Sequence, residues 1–177
     1  FLRAFEYAPW LVANLTLSGR PADRGFPLCW DNVLYDSRGL GYVVATHQSG
    51  PEHGPTVLTY YLVFAGEEPR KAREKLLSAT WSELAQAVLA DLCRAHPDLP
   101  GLVTNLDVYL WGHAMCRPHP GFVWHPGREE LERPVGRVRF AHADASGLPL
   151  FEEAQDAGVR AAEAILAEEG ERFRSLL

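Results

Sequence analysis

The chain has 177 residues, with 17 Lys and Arg against 23 Asp and Glu, so its formal net charge at pH 7 is −6. An apolar fraction of 47% supplies enough surface to offset chain entropy, which excludes global disorder. The acidic balance argues against a nucleic-acid-binding protein, because such proteins need a basic stripe. The sequence contains no run of about 18 uncharged apolar residues, so it predicts no membrane span.

The sequence starts Phe1-Leu2-Arg3, without an initiator Met or a signal-peptide pattern. We therefore expect a fragment of a longer protein, with no secretion signal to take it out of the cytoplasm. The three cysteines, Cys29, Cys93 and Cys116, show no paired spacing. Free thiols in a reducing compartment fit this pattern better than a disulfide scaffold does.

Strand-like runs alternate with turn clusters in the first part of the chain. Residues 7–17 place apolar side chains on one face with a period of two, which predicts a strand. Residues 29–35 are ambiguous, residues 42–47 favour a strand, and residues 48–55 favour a loop. Residues 56–64 are apolar on both faces, which is typical of a central strand covered on both sides.

Two helices are predicted next. Pro69 suits the first position of a helix. The apolar stripe of this helix is thin and consists of Ala72, Leu76 and Leu77. A second helix begins at Thr80, which forms a capping-box pattern with Glu83. Apolar residues then recur at helical spacing until Pro97 indicates a stop.

The last third returns to strands before a final helix. Residues 102–111 alternate as a strand, with Leu106, Val108 and Leu110 on the buried side, and residues 112–127 read as a loop rich in Gly, Pro and His. Residues 136–141 favour a short strand and residues 150–168 a helix. The order indicates an α+β fold with a largely antiparallel sheet, two central helices and a C-terminal strand-loop-helix. No linker composition divides the chain, so we expect one structural unit.

Two sets of residues are candidates for chemistry. His113, His119, His125 and His142 could in principle ligate zinc, but their spacing in a Pro-rich loop does not place them on one face, so we predict no metal site. A Cys116 nucleophile has still less support, because nothing nearby reads as an orienting base. The aromatic residues are numerous, and they form either core or a pocket for a planar ligand.

The C-terminal run GRVRFAHADASGLPLFEEAQDAGVRAAEAIL, residues 136–166, is the most specific feature. It resembles the C-terminal signature of flavin-containing amine oxidases, in the NAD(P)/FAD-binding superfamily. The match covers about thirty residues, and the order of elements extends it weakly over about a hundred more. The resemblance implies a sheet of the substrate-domain type over residues 1–135 and a flavin-contacting segment over residues 136–177.

The resemblance also implies roles for individual residues. His142, Ala143 and Asp144 stand where the family places a loop near the flavin's diphosphate and ribityl chain. Leu150 and Phe151 stand at the helix end that faces the flavin ring. Tyr42, Tyr61, Trp111 and His113, with Tyr60 as a further candidate, would line the substrate pocket. No catalytic residue is assigned.

The activity implied is hydride transfer from a small-molecule substrate to N5 of FAD. Covalent attachment is not expected, because Cys116 does not stand where covalently flavinylated relatives carry their cysteine. No G-x-G-x-x-G turn occurs in the sequence, so this chain would need a missing N-terminal dinucleotide-binding domain to hold FAD and would be incomplete and inactive alone. The alternative is a non-catalytic α+β domain that binds an apolar small molecule or a protein partner, with its last helix packed on the sheet.

Overall fold

The computed structural model describes residues 5–131 and 133–177. Its fold is α+β, with a five-stranded antiparallel sheet in the order β2-β3-β4-β1-β5, as the sequence predicted. The strands are β1 Tyr7–Leu17, β2 Asp31–Asn32, β3 Gly41–Val44, β4 Thr56–Val63 and β5 Val103–Cys116. The helices are α1 Thr46–Ser49, α2 Pro69–Ser78, α3 Trp81–Leu92 and α4 Phe151–Glu168. No helix of the described ranges is both long and apolar enough to cross a membrane.

The contacts divide the chain into two compact units. The sheet unit comprises Ala8–Ala114, and the terminal unit comprises residues 5–7 together with Met115–Leu177. This boundary differs from the predicted one after residue 135. Residues 115–131 belong with the C-terminal segment because Arg128 donates a hydrogen bond to the carbonyl of Ala145 at 2.9 Å, and Phe122 packs beside Gly147.

One face of the sheet carries the core. Leu11, Ala13, Leu15 and Leu17 of β1 are buried at every second position, as the period of two predicted. β4 is the central strand, but only its Thr56, Leu58 and Tyr60 side is buried, while its other face is half-buried. The prediction that both faces of this strand are covered is therefore wrong, because its helices lie on one side.

Two helices cover this buried face. Glu68 caps α2 by accepting hydrogen bonds from the backbone N–H groups of residues 70 and 71, and Pro69 follows as predicted. Ala72 and Leu76 are buried, whereas Leu77 is 56% exposed because it lies about 100° further round the helix. Leu76, Val88 and Leu92 join the strand residues in one hydrophobic cluster.

The edge strands are shaped by local geometry that the sequence left ambiguous. β2 has two residues and pairs with β3, next to Gly41. Gly41 has a φ of +110°, and a Cβ there would lie 2.0 Å from the carbonyl oxygen of Asn32, so only glycine fits. β3 ends at Val44, because the backbone turns into the single helical turn α1 in the region predicted as strand and loop.

β5 extends further than predicted. The alternation of exposed and covered side chains continues past Trp111 to Cys116, so residues 112–116 are strand and not loop. Gly112 lies on the helix side, where its carbonyl accepts a hydrogen bond from Nε of Arg73 at 2.7 Å. At the strand's end, the backbone N–H of Arg117 donates to the carbonyl of Glu6.

The predicted strand over residues 136–141 is absent from the described structure. Val135 and Val138 instead form an isolated antiparallel bridge around a tight turn, and Gly136 there has a φ of +59°. A left-handed glycine inside this run bends the backbone away from an extended pairing. The final helix, α4, begins and ends within one residue of the prediction.

Candidate functional site

The loop before α4 is the segment for which the resemblance implied cofactor contacts. His142 precedes the 3-10 turn Ala143–Ala145, and its Nδ1 atom accepts a hydrogen bond from the backbone N–H of Asp144 at 3.0 Å. Gly147 follows with a φ of +79°, and a Cβ there would lie 3.0 Å from the ring of Phe122. Local backbone geometry therefore fixes the shape of this loop.

Asp144 ties the loop to Tyr7 of the same unit. The hydroxyl of Tyr7 donates a hydrogen bond to Oδ2 of Asp144, whose side chain is only 13% exposed. Burial, followed by the hydrogen bond to this carboxylate, raises the pKa of Tyr7, so the phenol stays protonated and keeps donating. Asp144 thus positions the loop, through a partner that the sequence did not indicate.

Cys116 lies close to the same carboxylate, and it is buried. Burial first, and the charge of Asp144 second, raise the pKa of this thiol to about 11. A thiol with such a pKa is almost fully protonated at neutral pH and is a poor nucleophile. All three cysteines are free, as predicted.

A cleft of about 510 Å³ opens beside the loop, within the terminal unit. His142 and Ser146 line it from the loop, and Ala157, Ala161 and Ala164 line it from α4. The three alanines share one side of the helix, and their small side chains leave room for a ligand between the helix and the loop. The predicted cofactor residue His142 therefore borders a cavity of ligand size.

Three arginines supply the positive charge of this cleft: Arg128, Arg139 and Arg160. Arg160 pairs with Asp156 at 2.7 Å, and the guanidinium of Arg139 contacts Glu168. The Nε atom of Arg139 is buried and has no hydrogen-bond partner. An unpaired buried N–H group costs about 1–3 kcal/mol, so an anionic oxygen bound here would satisfy a donor that the protein leaves unmatched.

The beginning of α4 holds the other two predicted cofactor residues. Leu150 is the N-cap, and no side chain caps the helix, so the first N–H groups lack side-chain acceptors. Leu150 is 51% exposed and Phe151 is 76% exposed. Glu152 and Glu153 stand in the first turn, and their carboxylates offset the positive end of the helix dipole.

None of the 18 residues of α4 is buried, although the helix carries an apolar stripe. Phe151, Ile165 and Leu166 of this stripe are each at least 38% exposed. An amphipathic helix normally buries such a stripe against a neighbour. In this chain, the stripe is left open to solvent.

The open face of the sheet carries three of the predicted substrate residues. Tyr61 lies on this face, and its hydroxyl donates to Oδ1 of Asp31 at 3.1 Å. Trp111, 55% exposed, and His113 are on the outward side of β5. Trp10 stacks against Tyr61 with ring centroids 6.3 Å apart, so aromatic surface spans two neighbouring strands.

Tyr42 and Tyr60 lie on the opposite, buried face of the sheet. Tyr42 pairs with Tyr60 across β3 and β4, whereas Tyr61 pairs with Gly41. Because side chains alternate between faces along a strand, Tyr42 does not share a surface with Tyr61 and Trp111. The structure therefore separates the four predicted substrate residues into one buried tyrosine and three residues of the open face.

Several residues of these sites were missed by sequence reasoning. Arg128 and Arg139 reach the cleft, and Asp31 orients Tyr61. Arg139 belongs to a run that was predicted as a strand, and the turn that forms there instead, with Gly136 at a φ of +59°, could not be seen from the residue pattern. Arg128 and Asp31 carry no local signal either, since distant parts of the chain bring them to their sites.

The loop histidines make protein contacts. His119 packs edge-on against Phe122, and Nδ1 of His125 accepts a hydrogen bond from the backbone N–H of Gly127 at 3.0 Å. Within residues 5–131 and 133–177, no three His, Cys, Asp or Glu side chains are grouped so that they could hold a metal ion.

Comparisons with known proteins identify no family for this chain. No protein-family model matches the sequence, and no curated protein matches it significantly. A proposal for its function therefore rests on the geometry of these two surfaces and on the residues of the C-terminal segment.

Proposed function

We propose that this chain is the C-terminal part of an FAD-dependent oxidoreductase that resembles the flavin amine oxidases. The observation that carries the proposal is the exposure of α4 and of the loop before it. A self-contained binding domain would bury the apolar stripe of its last helix, whereas a fragment leaves exposed the surface on which the missing domain docks. Phe140, Leu148, Leu150 and Phe151 extend the exposed stripe along the loop.

The residues of the cleft fit part of the cofactor. The unpartnered Nε of Arg139 is a donor suited to a diphosphate oxygen of FAD, and His142 borders the same space. The uncapped N–H groups at the start of α4 suit a carbonyl oxygen of the flavin ring. FAD, when bound, supplies an acceptor for a hydride at its N5 atom.

The chain's own residues would bind the cofactor and contact a substrate. Arg139 would hold the diphosphate in the middle of the cofactor, and the start of α4 would hold its flavin ring. The Trp10–Tyr61 pair and Trp111 belong to the sheet unit, where they form an apolar surface suited to an apolar substrate. Asp31 would keep the phenol of Tyr61 in one orientation through its hydrogen bond.

The absorbance of the complete gene product between about 350 and 500 nm tests this proposal. We expect a flavin spectrum, and we expect denaturation to release the flavin into the filtrate because the Cys116 thiol is buried and protonated. A colourless protein that gains no flavin on addition of FAD would overturn the proposal. The non-catalytic α+β binding domain would then be the better account of the chain.

A paired variant of the complete protein locates the cofactor contact. Arg139→Gln removes the cleft's unpartnered donor, and we expect it to weaken FAD retention about tenfold, as the loss of a charged hydrogen bond does. Arg133→Gln is the matched control, because Arg133 is exposed and does not line the cleft. Equal flavin content in both variants would exclude the cleft as the diphosphate site.

A further inference from the structure

A second cavity, of about 620 Å³, lies in the sheet unit, at the end of α3. We name it the His96 cavity. It lies between the loop that holds Phe26 and Cys29 and the segment that follows α3, which holds Arg94 and His96. Its volume is in the range of small-molecule sites in proteins. Tyr42 of the buried side of the sheet lines it, and Asp31, which hydrogen-bonds Tyr61, is the residue that it shares with the open aromatic face.

Two buried polar side chains form the inner wall of the His96 cavity. Tyr42 is 2% exposed and His96 is 8% exposed, and the hydroxyl of Tyr42 lies 2.6 Å from Nε2 of His96. The Nδ1 atom of His96 is buried and has no hydrogen-bond partner. Buried polar atoms are normally paired, so this imidazole nitrogen would gain a partner if a polar molecule entered the cavity.

Burial is the main cause that lowers the pKa of His96, so the imidazole is neutral near pH 7. The nearby charges of Asp98, Arg24 and Asp23 act in both directions on this group. Asp98 is engaged by the backbone N–H of Ala22, at 2.8 Å. The inner wall thus offers hydrogen bonds without a net charge.

The mouth of the cavity combines apolar surface with positive charge. Phe26 is 82% exposed and Val33 is 76% exposed, so a bound molecule would cover side chains that now face water. Arg94 is held by Asp91 and by the carbonyl of Asp36, which fixes its position. The Arg24 guanidinium forms no hydrogen bond or ion pair within the described part of the chain.

The one carboxylate of the lining is already engaged, because Asp31 accepts the hydroxyl of Tyr61. Arg94 is already paired with Asp91, so Arg24 is the lining cation that no ion pair holds in the described part of the chain, and an anionic group would pair with it. We propose that the His96 cavity binds a small planar apolar molecule that carries one anionic group, such as an aromatic carboxylate. The ring would lie against Phe26 and Val33, with the anionic group on Arg24.

Protection of Cys29 from alkylation tests this assignment on the chain itself. Cys29 lines the His96 cavity, and Cys93 lies outside it and is an internal control in the same sample. The probe is 2-naphthoate, and its neutral isostere 2-naphthamide controls for apolar binding alone. We expect naphthoate to slow iodoacetamide modification of Cys29 at least about threefold at saturation, to leave Cys93 unchanged, and to bind about tenfold tighter than naphthamide.

Two variants with exposed side chains assign the charge. Arg24→Gln should lower protection by naphthoate to the level given by naphthamide, and Arg38→Gln, an exposed arginine that does not line the cavity, should leave protection unchanged. The proposal is wrong if Cys29 shows no protection at about 10 mM naphthoate, if Cys93 is protected equally, or if naphthamide protects as well as naphthoate. These outcomes do not depend on whether the complete protein binds FAD.

Discussion

At the scale of single residues, the hydroxyl of Tyr60 connects the central strand to α3. It donates a hydrogen bond to Oδ2 of Asp91 at 2.9 Å, and Ser37 donates to the same oxygen. Asp91 is mostly buried and also pairs with Arg94 at 3.2 Å. One carboxylate thus holds a strand, a loop and a helix together.

Tyr60→Phe removes this donor and keeps the ring. We expect the free energy of unfolding to fall by about 1–2 kcal/mol, the usual loss for a partly buried hydrogen bond to a charged group. Urea denaturation would measure the change. Tyr109→Phe is the control, because Tyr109 is 46% exposed, and equal losses in the two variants would contradict a role for the Asp91 contact.

The pH dependence of stability follows from His96. Burial lowers its pKa from the ordinary value of 6.5, so below pH 6.5 the unfolded chain takes up a proton that the folded chain excludes. Stability is therefore lost as the pH falls from 6.5 to the lower pKa of the folded state, and it is retained above pH 6.5.

Urea midpoints at about pH 7.5 and 5.5 measure this effect. We expect His96→Gln to reduce the loss of stability at the lower pH, because glutamine keeps a polar group near Tyr42 and takes up no proton. His53→Gln changes an exposed position, so this variant should lose as much stability at the lower pH as the parent chain does. If His96→Gln shows the same pH dependence as the parent chain, His96 is not the group responsible.

At the scale of elements, α3 depends on its capping box. Oγ1 of Thr80 accepts a hydrogen bond from the backbone N–H of Glu83 at 3.3 Å, and the Glu83 carboxylate accepts one from the backbone N–H of Thr80 at 2.8 Å. The backbone N–H of Thr80 and its hydroxyl, which donates to the same carboxylate at 2.8 Å, lower the pKa of Glu83. The predicted cap is therefore confirmed in both of its halves.

Thr80→Ala should destabilise the chain by about 1 kcal/mol, since the helix loses a side-chain acceptor at its first turn. Thermal or urea unfolding followed by circular dichroism would detect it. Ser82→Ala, two residues further along the same turn, is the matched control and should cause little loss, because alanine is the better helix former. If Ser82→Ala lost as much stability as Thr80→Ala, the capping hydrogen bond of Thr80 would not be the cause of the destabilisation.

Most of the helices and strands could be predicted from the sequence, and each wrong prediction has a specific physical reason. The alternation in β1 and the caps of α2 and α3 are local signals, so they gave these elements within a few residues. The run at 136–141 had strand composition, but Gly136 adopts a left-handed φ and closes a turn. β5 was cut short at Gly112, because glycine and proline content was given more weight than the continuing alternation.

The residues of the candidate site could be predicted from the sequence less well than the fold. His142 is predicted as a cofactor residue from the C-terminal run, and in the structure it borders the cleft. Arg128 and Tyr7 reach this unit from distant positions, and contacts of that kind leave no local pattern. Tyr42 and Tyr61 were grouped together because both are aromatic, although strand register sends them to opposite faces.

At the scale of the whole molecule, the sequence lacks a G-x-G-x-x-G turn while the terminal unit offers donors for only part of FAD. If the proposed function is correct, the complete protein should retain FAD at least about 100-fold more tightly than this chain, a difference of about 2.7 kcal/mol. Fluorescence titration with FAD would compare the two. Equal affinity would mean that the chain holds the whole cofactor without a dinucleotide-binding domain.

The terminal unit is discontinuous in sequence, and this affects the order in which the protein is made. Residues 8–114 leave the ribosome as a complete set, so the sheet unit has all of its strands before most of the terminal unit exists. Glu6 and Tyr7 emerge before the sheet unit but meet their partners, Arg117 and Asp144, more than a hundred residues later. During synthesis, the earliest residues of the described chain therefore wait longest for their contacts, and a chaperone or a neighbouring domain has that interval in which to bind them.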